Sequence, residues 1–173
     1  MFWDFIGMIA AGAGLAGLVL MVRKVSRGIL PSWTIPAAIG LGMLSFTVWN
    51  EYTWYPRASG ALPQGVIILS APETKQAWRP WTYLFPIHQR FAAYDGVSAK
   101  TSLENPAIRQ GEVVLVQRWQ PTRRVPIAVD CAKSLRADLI EGAVIAADGT
   151  LTGAEWYPAA ADDALQLAAC QAK

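Results

Sequence analysis

Two long apolar runs joined by a short basic link constrain this chain more than any other feature. Phe5–Val22 carries no charged residue, and neither does Ile29–Asn50, while Arg23, Lys24 and Arg27 fall between them. A helix crosses the roughly 30 Å hydrocarbon core of a bilayer with about 20 apolar residues. Each run therefore predicts a transmembrane helix, and the pair predicts a transmembrane helical hairpin. After Glu51 the character changes to charges, prolines and short β-branched runs. The expected fold class is an α+β membrane protein: an N-terminal transmembrane helical hairpin, then a small antiparallel β-domain with a C-terminal helix. Its expected divisions are residues 1–55 for the hairpin, 56–64 for a linker rich in Pro, Gly and small residues, and 65–173 for an extracytoplasmic β-rich domain.

Orientation follows from the link. Positive residues are retained on the cytoplasmic side, so Arg23, Lys24 and Arg27 place the link inside and both chain ends outside. In a bacterial inner membrane this means a multi-pass protein whose termini and soluble domain are periplasmic. A cleaved signal peptide carries its positive charge before the apolar stretch. Here the preceding charge is Asp4 and the positive charges follow, so the first run is read as a retained helix.

The first helix presents small residues at Gly7, Ala10, Gly14 and Gly17, spaced three and four apart and hence along one side. Ala38, Gly42 and Ser45 form a similar groove on the second. Small residues let transmembrane backbones approach closely. These faces either meet each other inside the hairpin or dock a helix of another protein. Trp49, Tyr52, Trp54 and Tyr55 cluster where the second run ends, a composition suited to anchoring at the lipid headgroups.

In the domain, strands are expected at Val66–Leu69, Trp81–Phe85, Arg90–Asp95, Val113–Trp119, Val125–Val129 and near Leu151–Trp156. Arg136–Ile145 is compatible with strand but interrupted by Gly142. A closing helix is expected over Ala160–Cys170, with Asp162 and Asp163 at its N-terminus. Cys131 and Cys170, the two cysteines, both lie in the segment assigned to the oxidising side, which predicts a disulfide. Two reduced buried thiols would instead fit a cytosolic domain.

The order Trp81, Tyr83, Tyr94-Asp95, Val113–Trp119, Asp130-Cys131, Asp148-Gly149, Trp156 and Cys170 resembles that of the small secreted β-domains called surface-adhesin protein E-like. The resemblance covers about half the chain and implies a disulfide-tied β-sheet. Those domains lack the helical hairpin, and the resemblance implies no function.

No catalytic pattern emerges. Ser70, His88 and Asp95 supply the residue types of a hydrolytic triad, but no G-x-S-x-G elbow frames Ser70. The sole histidine, His88, is distant in sequence from both cysteines, so no metal is expected; no intramembrane histidine or ionisable pair accompanies the aromatic cluster near Trp49, so no other cofactor is expected. Asp162 and Asp163 are adjacent and suit helix capping. The net charge of +2 arises from 15 basic and 13 acidic residues. Three of the basic residues sit in the link, leaving a near balance elsewhere that offers no nucleic-acid face. One cluster asks for an explanation: Trp78, Arg79 and Trp81, together with Arg118 and Trp119. It is readable as core, as a protein partner surface, or as a surface resting on the membrane.

The functional expectation is a non-catalytic accessory or assembly subunit of a larger bacterial inner-membrane complex. Its hairpin would pack on integral subunits and its domain would dock on the periplasmic side. The alternative is a freestanding membrane-anchored envelope domain that binds an extracytoplasmic ligand or surface partner. Membrane lipid and other integral subunits are the expected partners.

Overall fold

The computed structural model describes residues 2–102, 104–146, 148–160 and 162–171. They form two compact units, Met1–Arg57 and Ala58–Lys173. The chain is α+β: apolar helix first, antiparallel sheet next, short helix last.

In the first unit, α1 spans Phe2–Val25 and α2 spans Thr34–Gly60. Helix α1 stops because Arg27 and Gly28 turn into the left-handed region (φ 52° and 86°). The Gly28 amide then reaches back to the Arg23 carbonyl at 2.9 Å, the six-to-one bond of a Schellman cap. The two helices run antiparallel, with Gly7 against Phe46, Gly12 against Met43 and Ile39, and Gly42 against Ala11 and Leu15.

By length and composition α1 is apolar enough to cross a membrane, and among the described residues it is the one helix that is. The expected second span is diluted because α2 begins at Thr34 rather than Ile29 and continues past Asn50 and Glu51 to Gly60. The expected linker is also shorter. Pro56 donates no hydrogen bond, yet the helix passes through it. There Arg57 gives Nε to the Thr53 carbonyl at 3.1 Å and Nη2 to Asn50 Oδ1, side-chain bonds that brace the turn.

The second unit is built from β1 (Val66–Ser70), β2 (Glu73–Thr74), β3 (Ile87–His88), β4 (Arg90–Thr101), β5 (Ile108–Gln117), β6 (Arg123–Asp130), β7 (Leu135–Asp138), β8 (Val144–Ile145), β9 (Leu151–Thr152), β10 (Tyr157–Pro158) and α3 (Ala164–Gln171). Six strands make an antiparallel sheet in the order β1-β4-β5-β6-β7-β10. Strands β2 and β3 extend the β1–β4 hairpin beyond the sheet, pairing Glu73 with His88 and Thr74 with Ile87.

Alternation of side chains along the strands supplies two buried faces. On one, Tyr94, Ile127 and Val129 pack beneath Leu165, Ala168 and Ala169 of α3. Gly111 is required there, since a Cβ at that position would stand 2.6 Å from the Tyr94 ring. On the other, Ile108 and Ala128 meet Ile145, with Leu139, Leu151 and Trp156 around them.

Helix α3 has eight residues, too few to persist alone in water, so its order comes from its attachments. Asp163 Oδ1 accepts from the Leu165 amide at 3.0 Å, while Asp163 Oδ2 accepts from Arg136 on β7 at 2.7 Å. Arg109 on β5 donates to the Ala169 carbonyl at 2.9 Å, and Gln166 donates to the Asp130 carbonyl at 3.1 Å. Cys131 and Cys170 form a disulfide, with Cα atoms 5.8 Å apart, that ties the last turn to the end of β6.

Several sequence expectations change. Trp81–Phe85 is not a strand: Pro80–Tyr83 is a 3₁₀ turn, because Pro80 sets a helical φ and Thr82 captures local backbone groups. The Arg136–Ile145 segment divides into β7 and β8, since Glu141 and Gly142 both adopt positive φ (55° and 86°). The last expected strand shortens to β9, and β10 starts just beyond it at Tyr157, leaving Trp156 between them. The closing helix starts later than expected, at Ala164, with Asp163 as its cap.

Candidate interaction surfaces

The small residues of the hairpin fall into two groups. Gly7, Ala38 and Gly42 lie within it. A Cβ on Gly7 would run into the Phe46 ring, one on Gly42 would stand 2.8 Å from the Ala11 carbonyl oxygen, and Ala38 is buried. Gly12, which the sequence reading passed over, also packs inside, against Met43 and Ile39. Its i+5 offset from Gly7 hid it from a search for spacings of three and four. Ala10, Gly14 and Gly17 are exposed, and nothing lies within 4 Å of a Cβ built on Gly14 or Gly17. Ser45 is exposed beside the seam, in a groove of about 330 Å³ lined by Ala11, Leu15, Gly42, Ser45, Phe46 and Trp49.

A polar lock closes the end of this unit away from the link. Asn50 is buried; its Nδ2 donates to Asp4 Oδ1 at 2.8 Å, and its Oδ1 accepts from Arg57. The Arg57 guanidinium also stacks 5.4 Å from the centre of the Trp49 ring. Of the four aromatic residues read as anchors, Trp49 is exposed, whereas Tyr52, Trp54 and Tyr55 are half-buried along α2.

In the second unit the hairpin formed by β1–β2 and β3–β4 ends in a long loop, Lys75–Pro86, whose side chains are chiefly apolar. Trp78, Trp81, Tyr83, Leu84 and Phe85 are exposed. Thr82 is fully buried beneath them, its hydroxyl accepting from the Gln76 amide at 2.9 Å and donating to the Arg79 carbonyl at 2.7 Å. The turn from β5 to β6 leaves the sheet at the same end, the Arg118 amide donating to the Gln89 carbonyl at 2.9 Å. On it Arg118 is buried, with its guanidinium 4.6 Å from the centre of the exposed Trp119 ring. Trp78, Trp81 and Trp119 are thus surface residues rather than core. Sequence reasoning counted Tyr83 with the Trp78–Trp81 cluster but left out Leu84 and Phe85, which as apolar residues of an expected strand carried no surface signal.

Ser70, His88 and Asp95 do not assemble. Ser70 pairs with Ala92, whereas Asp95 pairs with Val66 at the other end of β1. His88 Nδ1 lies 3.0 Å from the Ala71 carbonyl oxygen. Asp95 Oδ1 accepts from the Val97 and Ser98 amides, and its Oδ2 pairs with Arg124, which also pairs with Glu112 at 3.0 Å. Among the described residues no group of three or more His, Cys, Asp and Glu is placed to hold a metal ion.

Compared with models of known families, with curated proteins and with solved structures, the chain matches none of them. The likeness to surface-adhesin protein E-like domains is therefore one of residue order alone.

Proposed function

We propose that this protein is a membrane-anchored, non-catalytic accessory subunit whose hairpin packs on an integral partner and whose disulfide-tied domain sits on the periplasmic face. The observation that carries this reading is the open face of α1. Contact within the hairpin uses Gly7, Gly12 and Gly42, while Gly14 and Gly17 remain uncovered. Small residues facing lipid gain little, because lipid tails pack equally well on larger side chains. Against another helix they permit close backbone approach.

Both helices belong in the membrane in this reading. The polar groups of α2 are consistent with it, because Asn50 is satisfied by Asp4 and Arg57 within the hairpin, as polar groups near hydrocarbon must be. The disulfide supports an oxidising compartment for the domain.

Extraction in a mild detergent followed by a native gel tests the proposal. Co-migration with other integral membrane proteins is expected. A lone monomer or homodimer would overturn it in favour of a freestanding anchored domain.

A further inference from the structure

We infer that the loop Lys75–Pro86 is a second membrane contact, resting its aromatic side chains in the phospholipid headgroup region and thereby fixing the orientation of the domain. This rests on the reading of the protein as membrane-anchored, and adds a surface that the helices do not supply.

The loop exposes Trp78 (74%), Trp81 (40%), Tyr83 (58%), Leu84 (79%) and Phe85 (66%) within a few residues of one another. A soluble protein rarely leaves so many large apolar side chains of one loop in water without something to cover them. Their chemistry identifies the cover. Trp and Tyr are amphipathic rings suited to the boundary between hydrocarbon and water, and Leu84 and Phe85 add apolar groups without a polar tip. Lys75, Arg79 and Arg90 are the charged side chains between Glu73 and Asp95, so no carboxylate lies in that stretch to be repelled by anionic headgroups.

Internal hydrogen bonds brace the loop. Thr82 bonds Gln76 and Arg79, and the Trp81 carbonyl accepts from the amides of both Leu84 and Phe85. Little conformational freedom is left to lose when the side chains settle on a surface.

Chain connectivity keeps lipid within reach. Only residues 61–65 separate α2 from β1, a stretch that spans at most about 18 Å. Strand β1 is the outermost strand of the sheet. The chain enters it at Val66 and leaves it at Ser70, toward the loop, about 13 Å further on at the usual rise per residue. Exposed Ile67 and Ile68 lie between these points, one on each face of this edge strand.

Full-length protein reconstituted in vesicles of phosphatidylcholine and phosphatidylglycerol provides the test. Three variants, each adding one free cysteine beside the retained Cys131–Cys170 bridge and carrying an environment-sensitive fluorophore on it, would be challenged with nitroxide-bearing lipids: Leu84→Cys in the loop, Lys133→Cys at the opposite end of the sheet, and Leu18→Cys in α1. Quenching at Leu84→Cys several-fold greater than at Lys133→Cys is expected, and Tyr83→Cys gives the same comparison should Leu84→Cys not fold. Quenching at the loop no greater than at Lys133→Cys, while Leu18→Cys is quenched, would overturn the inference alone. An unquenched Leu18→Cys would overturn the anchored reading itself, and the inference with it. Shielding of the loop in native membranes but not in pure lipid would assign it to a protein partner and also overturn the inference.

Discussion

Gly42 and Ala11 meet so closely that a Cβ on the glycine would stand 2.8 Å from the alanine carbonyl oxygen. Nothing occupies the equivalent space at Gly14. This contrast separates two roles for small residues that look alike in sequence. Gly42→Leu should force the hairpin apart, at an overpacking cost of about 1–3 kcal/mol, and lower the amount of protein in the membrane. Gly14→Leu and Gly17→Leu should leave that amount unchanged and reduce the fraction assembled with the partner. The ratio of assembled to free protein at matched membrane abundance checks this. An unchanged ratio for both variants would argue against partner docking through α1.

The bridge between Cys131 and Cys170 closes a loop of 39 residues in sequence separation, which in the chain-entropy account stabilises the domain by about 4 kcal/mol. Replacing both cysteines by serine should lower its stability toward denaturant by an amount of that order. Labelling the denatured but unreduced protein with a thiol reagent should find no reactive cysteine. Two labels per chain would show that the bridge does not form.

Tyr94 is almost fully buried, and loss of water around its hydroxyl pushes its pKa above 10.0. The folded protein therefore holds this proton more tightly than the unfolded chain does. The resulting stability is fully present below about pH 10 and is lost as pH rises through the folded value. Tyr157 is shifted the same way, first by burial and then by its hydrogen bond with Asp138. Melting temperature should fall between neutral pH and above pH 10, and Tyr94→Phe should make that fall shallower. An identical alkaline profile for the variant would remove Tyr94 as its source.

Orientation is tested by a reporter that is active only in the cytoplasm, fused at the C-terminal end. With Arg23, Lys24 and Arg27 retained on the inner side, the fusion should be silent. A fusion placed in the link near Ser26 should be active. The opposite pattern would invert the topology and place the disulfide in a reducing compartment.

The sequence by itself determined the broad order, apolar helix, then strands, then a closing helix, because hydropathy over many residues is a local property of the chain. An apolar helix around Phe5–Val22, strands around Arg90–Asp95, Val113–Trp119 and Val125–Val129, and a closing helix within Ala160–Cys170 were legible from pattern and composition, and the observed α1, β4, β5, β6 and α3 overlap them. Cysteine usage likewise pointed to the bridge. The tertiary structure decided what depends on neighbours distant in the chain. Gly42 leaves no room for a Cβ and Gly14 does, although both are glycines in apolar helices, because Ala11 stands opposite one and nothing lies within 4 Å of the other. Trp81–Phe85 has the composition of a strand but found no strand partner; Pro80 and the Thr82 hydroxyl bent it into a turn and left its aromatic side chains outside. Helix α3 is short and holds its place through Arg109, Arg136, Gln166 and Cys131. Periodicity records which side of an element is apolar, but the identity of what covers that side is fixed only when distant segments pack.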